Sequence, residues 1–194
     1  MKRLAGLLLV LLLAGCATTP VPTSSQSAAA MSSWQLNGRV SLTRGEEGWH
    51  AGLHWQVQAD TFHLRISGPL GQGGFQLKGD ARGVVLVDAE GQTFAARDAD
   101  ALLAQVTGWQ LPVTGLRYWI RGLPEPVAGE AQMTRDETGR LRRLEQSGWV
   151  IKYQRYQLVE DILLPAKLQL VHADLAVRIV IDQWQLGAVA TRIP

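Results

Sequence analysis

From Trp34 to Gln185 the chain repeats with a period of two, and this restricts it to β structure. Trp49, Ala51, Leu53, Trp55 and Val57 alternate with His50, Gly52, His54, Gln56 and Gln58. Phe62, Leu64 and Ile66 alternate with His63, Arg65 and Ser67, and Trp149, Ile151 and Tyr153 with Val150, Lys152 and Gln154. Leu175, Val177, Ile179 and Ile181 do the same against Ala176, Arg178, Val180 and Asp182. Successive side chains of a strand point to opposite faces, so each run has one apolar and one mostly polar face. The pattern predicts eleven strands, over residues 34–43, 48–58, 61–67, 73–79, 83–88, 92–96, 130–135, 140–147, 149–156, 163–171 and 175–185. Most links are short and carry Gly, Asp or Pro, which implies an antiparallel meander.

The middle of the chain departs from the period. Asp98 is placed to cap a helix over Ala99 to Val106, with Leu102, Leu103 and Val106 on one side and Gly108 as its stop. A second helix is expected after Pro112, carrying Leu116, Trp119 and Ile120 at helical spacing and ending at Gly122. Two helices among antiparallel strands predict an α+β arrangement, with the helices covering a curved sheet.

The first residues read as an export signal. Lys2 and Arg3 precede an apolar run from Leu4 to Ala14, too short for a membrane span, which needs ~20 residues. The run leads into Leu13-Ala14-Gly15-Cys16, the pattern at which bacterial lipoproteins are cut and lipidated. Residues 1–15 are therefore expected to be a signal peptide, with Cys16 the acylated first residue of the mature chain. Cys16 is the sole cysteine, so an internal disulfide is impossible and lipidation accounts for it. Residue 17 is Ala rather than Asp, which favours the outer membrane by the Gram-negative sorting pattern. Residues 16–33 read as a small, polar, uncharged tether, with a short helix expected within Ser27 to Trp34, and residues 34–194 as one domain.

Charge and motifs narrow the function. Loss of Lys2 and Arg3 leaves 17 cations against 17 carboxylates, so nothing argues for nucleic acid. His50 and His54 share a strand face but lie ~13 Å apart at a rise of ~3.3 Å per residue, too far for both to bind one metal ion. There is no phosphate-binding Gly-x-x-x-x-Gly-Lys-Ser/Thr loop and no Gly-x-Ser-x-Gly nucleophile turn. No enzymatic activity, cofactor or metal is expected.

A set of ordered features then carries a resemblance. They are Gly38-Arg39, Trp55, Gly68-Pro69-Leu70-Gly71, Asp98-Ala99, Thr107 to Pro112, Tyr118-Trp119-Ile120-Arg121-Gly122-Leu123-Pro124, Gly148-Trp149, Tyr153, Tyr156, Leu164-Pro165 and Trp184. With the lipidation signal and the length, this set resembles the LolB family of outer-membrane lipoproteins. The resemblance implies an incomplete antiparallel barrel of about eleven strands, enclosing an apolar cavity covered by short helices. It implies a monomer on the periplasmic face of the outer membrane. Such a protein accepts lipoproteins from the periplasmic carrier LolA, holds their acyl chains, and inserts them among outer-membrane phospholipids. It also places an apolar residue of the Pro69, Leu70, Gly71 loop in the bilayer during release.

The cavity lining is expected from the apolar strand faces and the cover: Trp49, Leu53, Trp55, Phe62, Leu64, Ile66, Phe75, Leu77, Trp149, Ile151, Ile179 and Ile181, with Leu116, Trp119 and Ile120. The same alternation serves plain core packing equally well, so the sequence alone does not separate wall from core. A lipid-binding or scaffolding lipoprotein without transfer activity fits the same pattern.

Overall fold

The computed structural model describes residues 28–69 and 73–187. The signal segment, Cys16, most of the tether, Leu70 and Gly71 lie outside the described residues. The short helix expected before Trp34 is present as Ala28 and Ala29.

All eleven strands form: β1 (Ser33–Arg44), β2 (Glu47–Gln58), β3 (Thr61–Ser67), β4 (Phe75–Asp80), β5 (Gly83–Val87), β6 (Thr93–Ala96), β7 (Gln132–Arg135), β8 (Leu141–Gln146), β9 (Trp149–Val159), β10 (Ile162–His172) and β11 (Leu175–Leu186). They make one sheet in the order β6-β5-β4-β3-β2-β1-β11-β10-β9-β8-β7, with antiparallel pairing. The first strand pairs with the last, so both arms of the meander meet at β1 and β11. The strands β6 and β7 are the two free edges, and the sheet is open rather than closed. The chain between them supplies α1 (Ala99–Thr107) and α2 (Val113–Trp119).

The cover forms where the sequence places it. The Asp98 carboxylate accepts the Ala101 N–H at 2.8 Å, and Gly108 stops α1 in the left-handed region at φ 75°. Asp100 on α1 accepts both the backbone N–H and the hydroxyl of Thr114, joining the helices. The second helix ends at Trp119, earlier than Gly122; Gly122 instead closes the following turn at φ 79°, donating to Trp119 O.

Two irregularities steer the sheet. Between β1 and β11 the register shifts at Asn37/Gly38, so Asp182 has no partner across the ladder. This bulge turns both Ile181 and Trp184 inward. Gly38 is required there: a Cβ would lie 2.2 Å from the Val180 carbonyl oxygen. A second shift beside Pro165 bends β10 where proline has no N–H to offer, and the Pro165 carbonyl accepts the Trp184 indole N–H at 3.0 Å.

Candidate functional site

The inner face of the sheet divides into a filled half and a half with a gap. Near the N-terminus of β1, Trp34 meets Trp55 and Trp184 edge to face at 5.4 and 5.5 Å. Trp119 and Ile120 seal this half from the cover, both fully buried. The Trp119 indole donates to Gln146 Oε1 at 2.9 Å, and its carbonyl accepts the Tyr153 hydroxyl at 2.8 Å. Burial pushes the Tyr153 phenol well above its usual range, so it stays a neutral donor. The Gln146 amide also binds the Glu125 N–H and the carbonyls of Glu125 and Gly129. The C-terminal end of the cover is thus fixed by a satisfied polar network.

Arg121 fixes the same end to the start of the chain. Its guanidinium is buried and donates to the carbonyls of Arg117, Ala28 and Met31, with the Tyr118 ring 5.4 Å away. Burial, then the charge of Arg117, holds its pKa below the usual arginine value.

Toward the opposite rim the two layers do not close completely. A gap of about 40 Å³ remains between the sheet and the cover. Val40, Leu42, Trp49, Leu53, Leu64, Ile66, Phe75, Val177 and Ile179 face it from the sheet, and Leu103, Thr107, Trp109, Leu111, Val113 and Leu116 from the cover. The lining is hydrocarbon apart from the indole N–H groups and the Thr107 hydroxyl, which donates to Leu103 O at 2.7 Å. A hollow of about 270 Å³ lies on the outer side of the same rim. Trp49, Phe75, Thr107 and Trp109 border both spaces. The aromatic rings therefore stand between a small dry interior and the surface. Arg44 lies 5.1 Å from the Trp109 ring centre and holds the interhelix link to the end of β1.

Of the expected lining residues, Trp49, Leu53, Leu64, Ile66, Phe75, Leu116 and Ile179 border the gap. Trp55, Leu77, Trp119, Ile120, Ile151 and Ile181 are fully buried in the filled core instead. Trp149 stacks on His172 at 5.1 Å and neighbours Trp119, and Phe62 borders a surface groove beside β4 and β5. Sequence reasoning missed Val40, Leu42 and Val177, although each shares the parity of residues it named. It also missed Trp109 and Leu111, large apolar residues in a link, which is itself the signal. Of the β3–β4 loop, Gly68 is buried and Pro69 exposed. His54 and His63 lie on the outer face, bonded to Asn37 and Gln76.

The chain matches the family model "Outer membrane lipoprotein LolB" over residues 32–184. It is 39% identical to the outer-membrane lipoprotein LolB of Nitrosococcus oceani, covering 93% of this chain and 96% of that one. It is 38% identical to the protein of the same name from Pseudomonas aeruginosa, over 84% of this chain and 79% of that one. Among solved structures, a LolA superfamily protein from Nitrosomonas europaea superposes with a TM-score of 0.58 at 9% identity, covering 87% of this chain and 96% of that one. A putative outer membrane lipoprotein-sorting protein domain from Vibrio parahaemolyticus gives 0.56 at 7% identity, covering 87% and 93%. These distant structures share the fold, an open antiparallel sheet with a helical cover, while the family model spans the sheet from β1 into β11. The chain belongs to the LolB family of outer-membrane lipoproteins.

Proposed function

We propose that this protein takes acylated lipoproteins from the periplasmic carrier LolA, shelters their acyl chains between sheet and cover, and releases them into the inner leaflet of the outer membrane. Cys16 is its own lipid attachment point. The observation that carries the reading is the hydrocarbon-lined gap at one rim, closed off by Trp49, Phe75 and Trp109. Each methylene moved out of water contributes ~0.8 kcal/mol, so exposing a sixteen-carbon chain costs on the order of 10 kcal/mol. A protected route is therefore needed, and no phosphate fuel has to be spent along it if each acceptor binds more tightly than the donor.

At about 40 Å³ the gap is far below the ~300–1,000 Å³ of ordinary ligand sites. Uptake therefore requires the cover to move. The end of the cover at Trp119 to Arg121 is held by the Gln146 network and the N-terminal carbonyls. Among the described residues, the hydrogen bonds of the link from Gly108 to Pro112 are local, the Trp109 N–H donating to Thr107 Oγ1, and Arg44 lies against the Trp109 ring. Displacement of this link, with Trp109 and Leu111, opens the gap at the rim beside the β3–β4 loop. Pro69, Leu70 and Gly71 of that loop then meet the bilayer as the cargo leaves.

The test is site-specific photo-crosslinking to a radiolabelled lipoprotein delivered by the carrier. Crosslinkers at Leu53 and Leu116 are expected to capture the cargo, and one at Gln154 on the outer face is not. Transfer that proceeds with labelling at neither inner position overturns the reading. Leu70→Glu is expected to leave uptake intact and to impair release; delivery equal to that of the parent removes the loop from the mechanism.

A further inference from the structure

We infer that the outer face of the sheet binds anionic phospholipid headgroups in a groove beside the β3–β4 loop. The inference rests on the reading above, in which that loop meets the bilayer. With the signal removed, the chain has as many carboxylates as cations, yet the fold separates them. Arg39, Arg65, Lys78, Lys152, Lys167 and Arg178 project from the outer face of the central strands. The carboxylates on that face of the same strands, Asp80 and Asp182, are each paired with an arginine, Arg82 and Arg39, at 2.9 and 2.8 Å. Most other carboxylates sit at turns and on the cover. A neutral composition thus yields a cationic wall.

Among the described residues two grooves on the wall are lined by cations; the larger, beside β4 and β5, also holds Asp80, and the other has no carboxylate in its lining. This second groove, of about 450 Å³, is bounded by Arg39, Arg178 and His50, with Ser41 and Ser67 as hydroxyl donors. Its floor is low because Gly52 presents no side chain there; a Cβ on it would meet nothing closer than 3.7 Å. The register explains the assembly. Val180, Arg39, Gly52 and Ser67 form one row across four strands, and Arg178, Ser41 and His50 form the next. Arg178 has no hydrogen bond or ion pair among the described residues, and Arg39 uses one guanidinium nitrogen on Asp182. Further N–H groups of both arginines therefore remain to meet a phosphate. The groove ends at Gly68 and Pro69, where the loop leaves β3. A phosphate seated here sits beside the loop, as it would in a leaflet that the loop penetrates. The membrane is the committed occupant because the protein resides on it and the groove adjoins the membrane-facing loop.

The experiment uses the whole chain after residue 15 with Cys16→Ser, so that the lipid anchor does not mask weak binding. Co-sedimentation is measured on phosphatidylcholine vesicles, with and without 30% phosphatidylglycerol. A basic side chain near an anionic surface is worth roughly a fivefold change in partitioning. Arg178→Gln is expected to lower binding to the anionic vesicles about fivefold and to leave binding to neutral vesicles unchanged. Arg178→Lys is expected to restore most of it, and urea midpoints equal to the parent's exclude unfolding as the cause. Competition by 10 mM inorganic phosphate as strong as that by soluble short-chain phosphatidylglycerol would overturn the headgroup assignment. So would Arg178→Gln and Arg39→Gln proteins that bind both vesicles like the parent, even if handover from the carrier slowed, since the groove would then serve a protein. Leu70→Glu separates the two ideas. If it weakens binding to both vesicle types while the arginine variants have no effect, the loop reading stands and the groove falls. If it changes nothing while Arg178→Gln still lowers binding to the anionic vesicles, the loop reading fails and the groove stands.

Discussion

Gly38 shows how a single atom can fix the topology. The first and last strands pair along their length, and at residue 38 the backbone of β11 comes within a side chain's width. Gly38→Ala puts a methyl 2.2 Å from a carbonyl oxygen. It is expected to cost at least ~2 kcal/mol, in the range of overpacked cores, measured as a lower urea midpoint. The sequence displayed this glycine beside Arg39 but gave no reason for it, because a bulge is a property of two strands and the period belongs to one. The outer-face histidines give a second test. His54 is pushed below its usual value by burial and then by Arg65, and His63 by burial and by Lys78, Arg65 and His54, against a raising bond from Gln76. The unfolded chain therefore takes up protons first as pH falls. Stability from these groups is complete above the unfolded value, ~6.5, and declines as pH drops through it toward the folded values. The urea midpoint should be lower at pH 5.5 than at 7.5, and His54→Gln should shrink the difference. Equal midpoints in the parent at both pH values would contradict this.

At the level of elements, every strand and both helices were legible, because alternation and capping are local signals. The discrepancies have local causes. The fourth strand starts at Phe75 rather than 73 because Gly73 turns at φ 60° and a Cβ on Gly74 would strike Ile66 O. The ninth runs on to Val159 because an irregularity opposite Lys167 resets its parity, and a period counted from Trp149 loses it. The cavity was less legible. Parity tells which face a residue takes but not how deep it lies. Leu53 and Trp55 share a face two residues apart, yet one borders the gap and the other is locked among tryptophans. Depth is decided by where the cover lands, and the Asp98 cap, the Asp100–Thr114 bonds, the Gln146 network and Arg121 set that together. Asp98→Ala removes the α1 cap and is expected to cost ~0.5–2 kcal/mol. It should also loosen the cover, raising the rate at which a fluorescent fatty acid enters; an unchanged entry rate would show that α1 does not control access.

For the molecule as a whole, the division into a filled half and a gapped half fits the proposed opening, with stability concentrated away from the rim that would move. The tryptophan cluster and the Gln146 network lie at one end, and the gap with the Gly108–Pro112 link at the other. The chain enters this structure at the filled end, where Arg121 clasps the carbonyls of Ala28 and Met31. From Ser33 to Arg44 the first strand runs eleven steps, ~36 Å at ~3.3 Å each. From Cys16 to Ala28 the leash has twelve steps, at most ~40–43 Å fully drawn out. A body standing upright on its gapped rim would pull this leash almost taut. A body reclining with its cationic wall on the headgroups leaves it slack. Removing residues 20–25 shortens the leash by ~20 Å and is therefore expected to spare delivery to vesicles; abolished delivery would mean that the molecule works standing. With the proposed anchor on Cys16, the clasp becomes the mooring point, and the place where the chain is tied would set the protein's posture on the membrane.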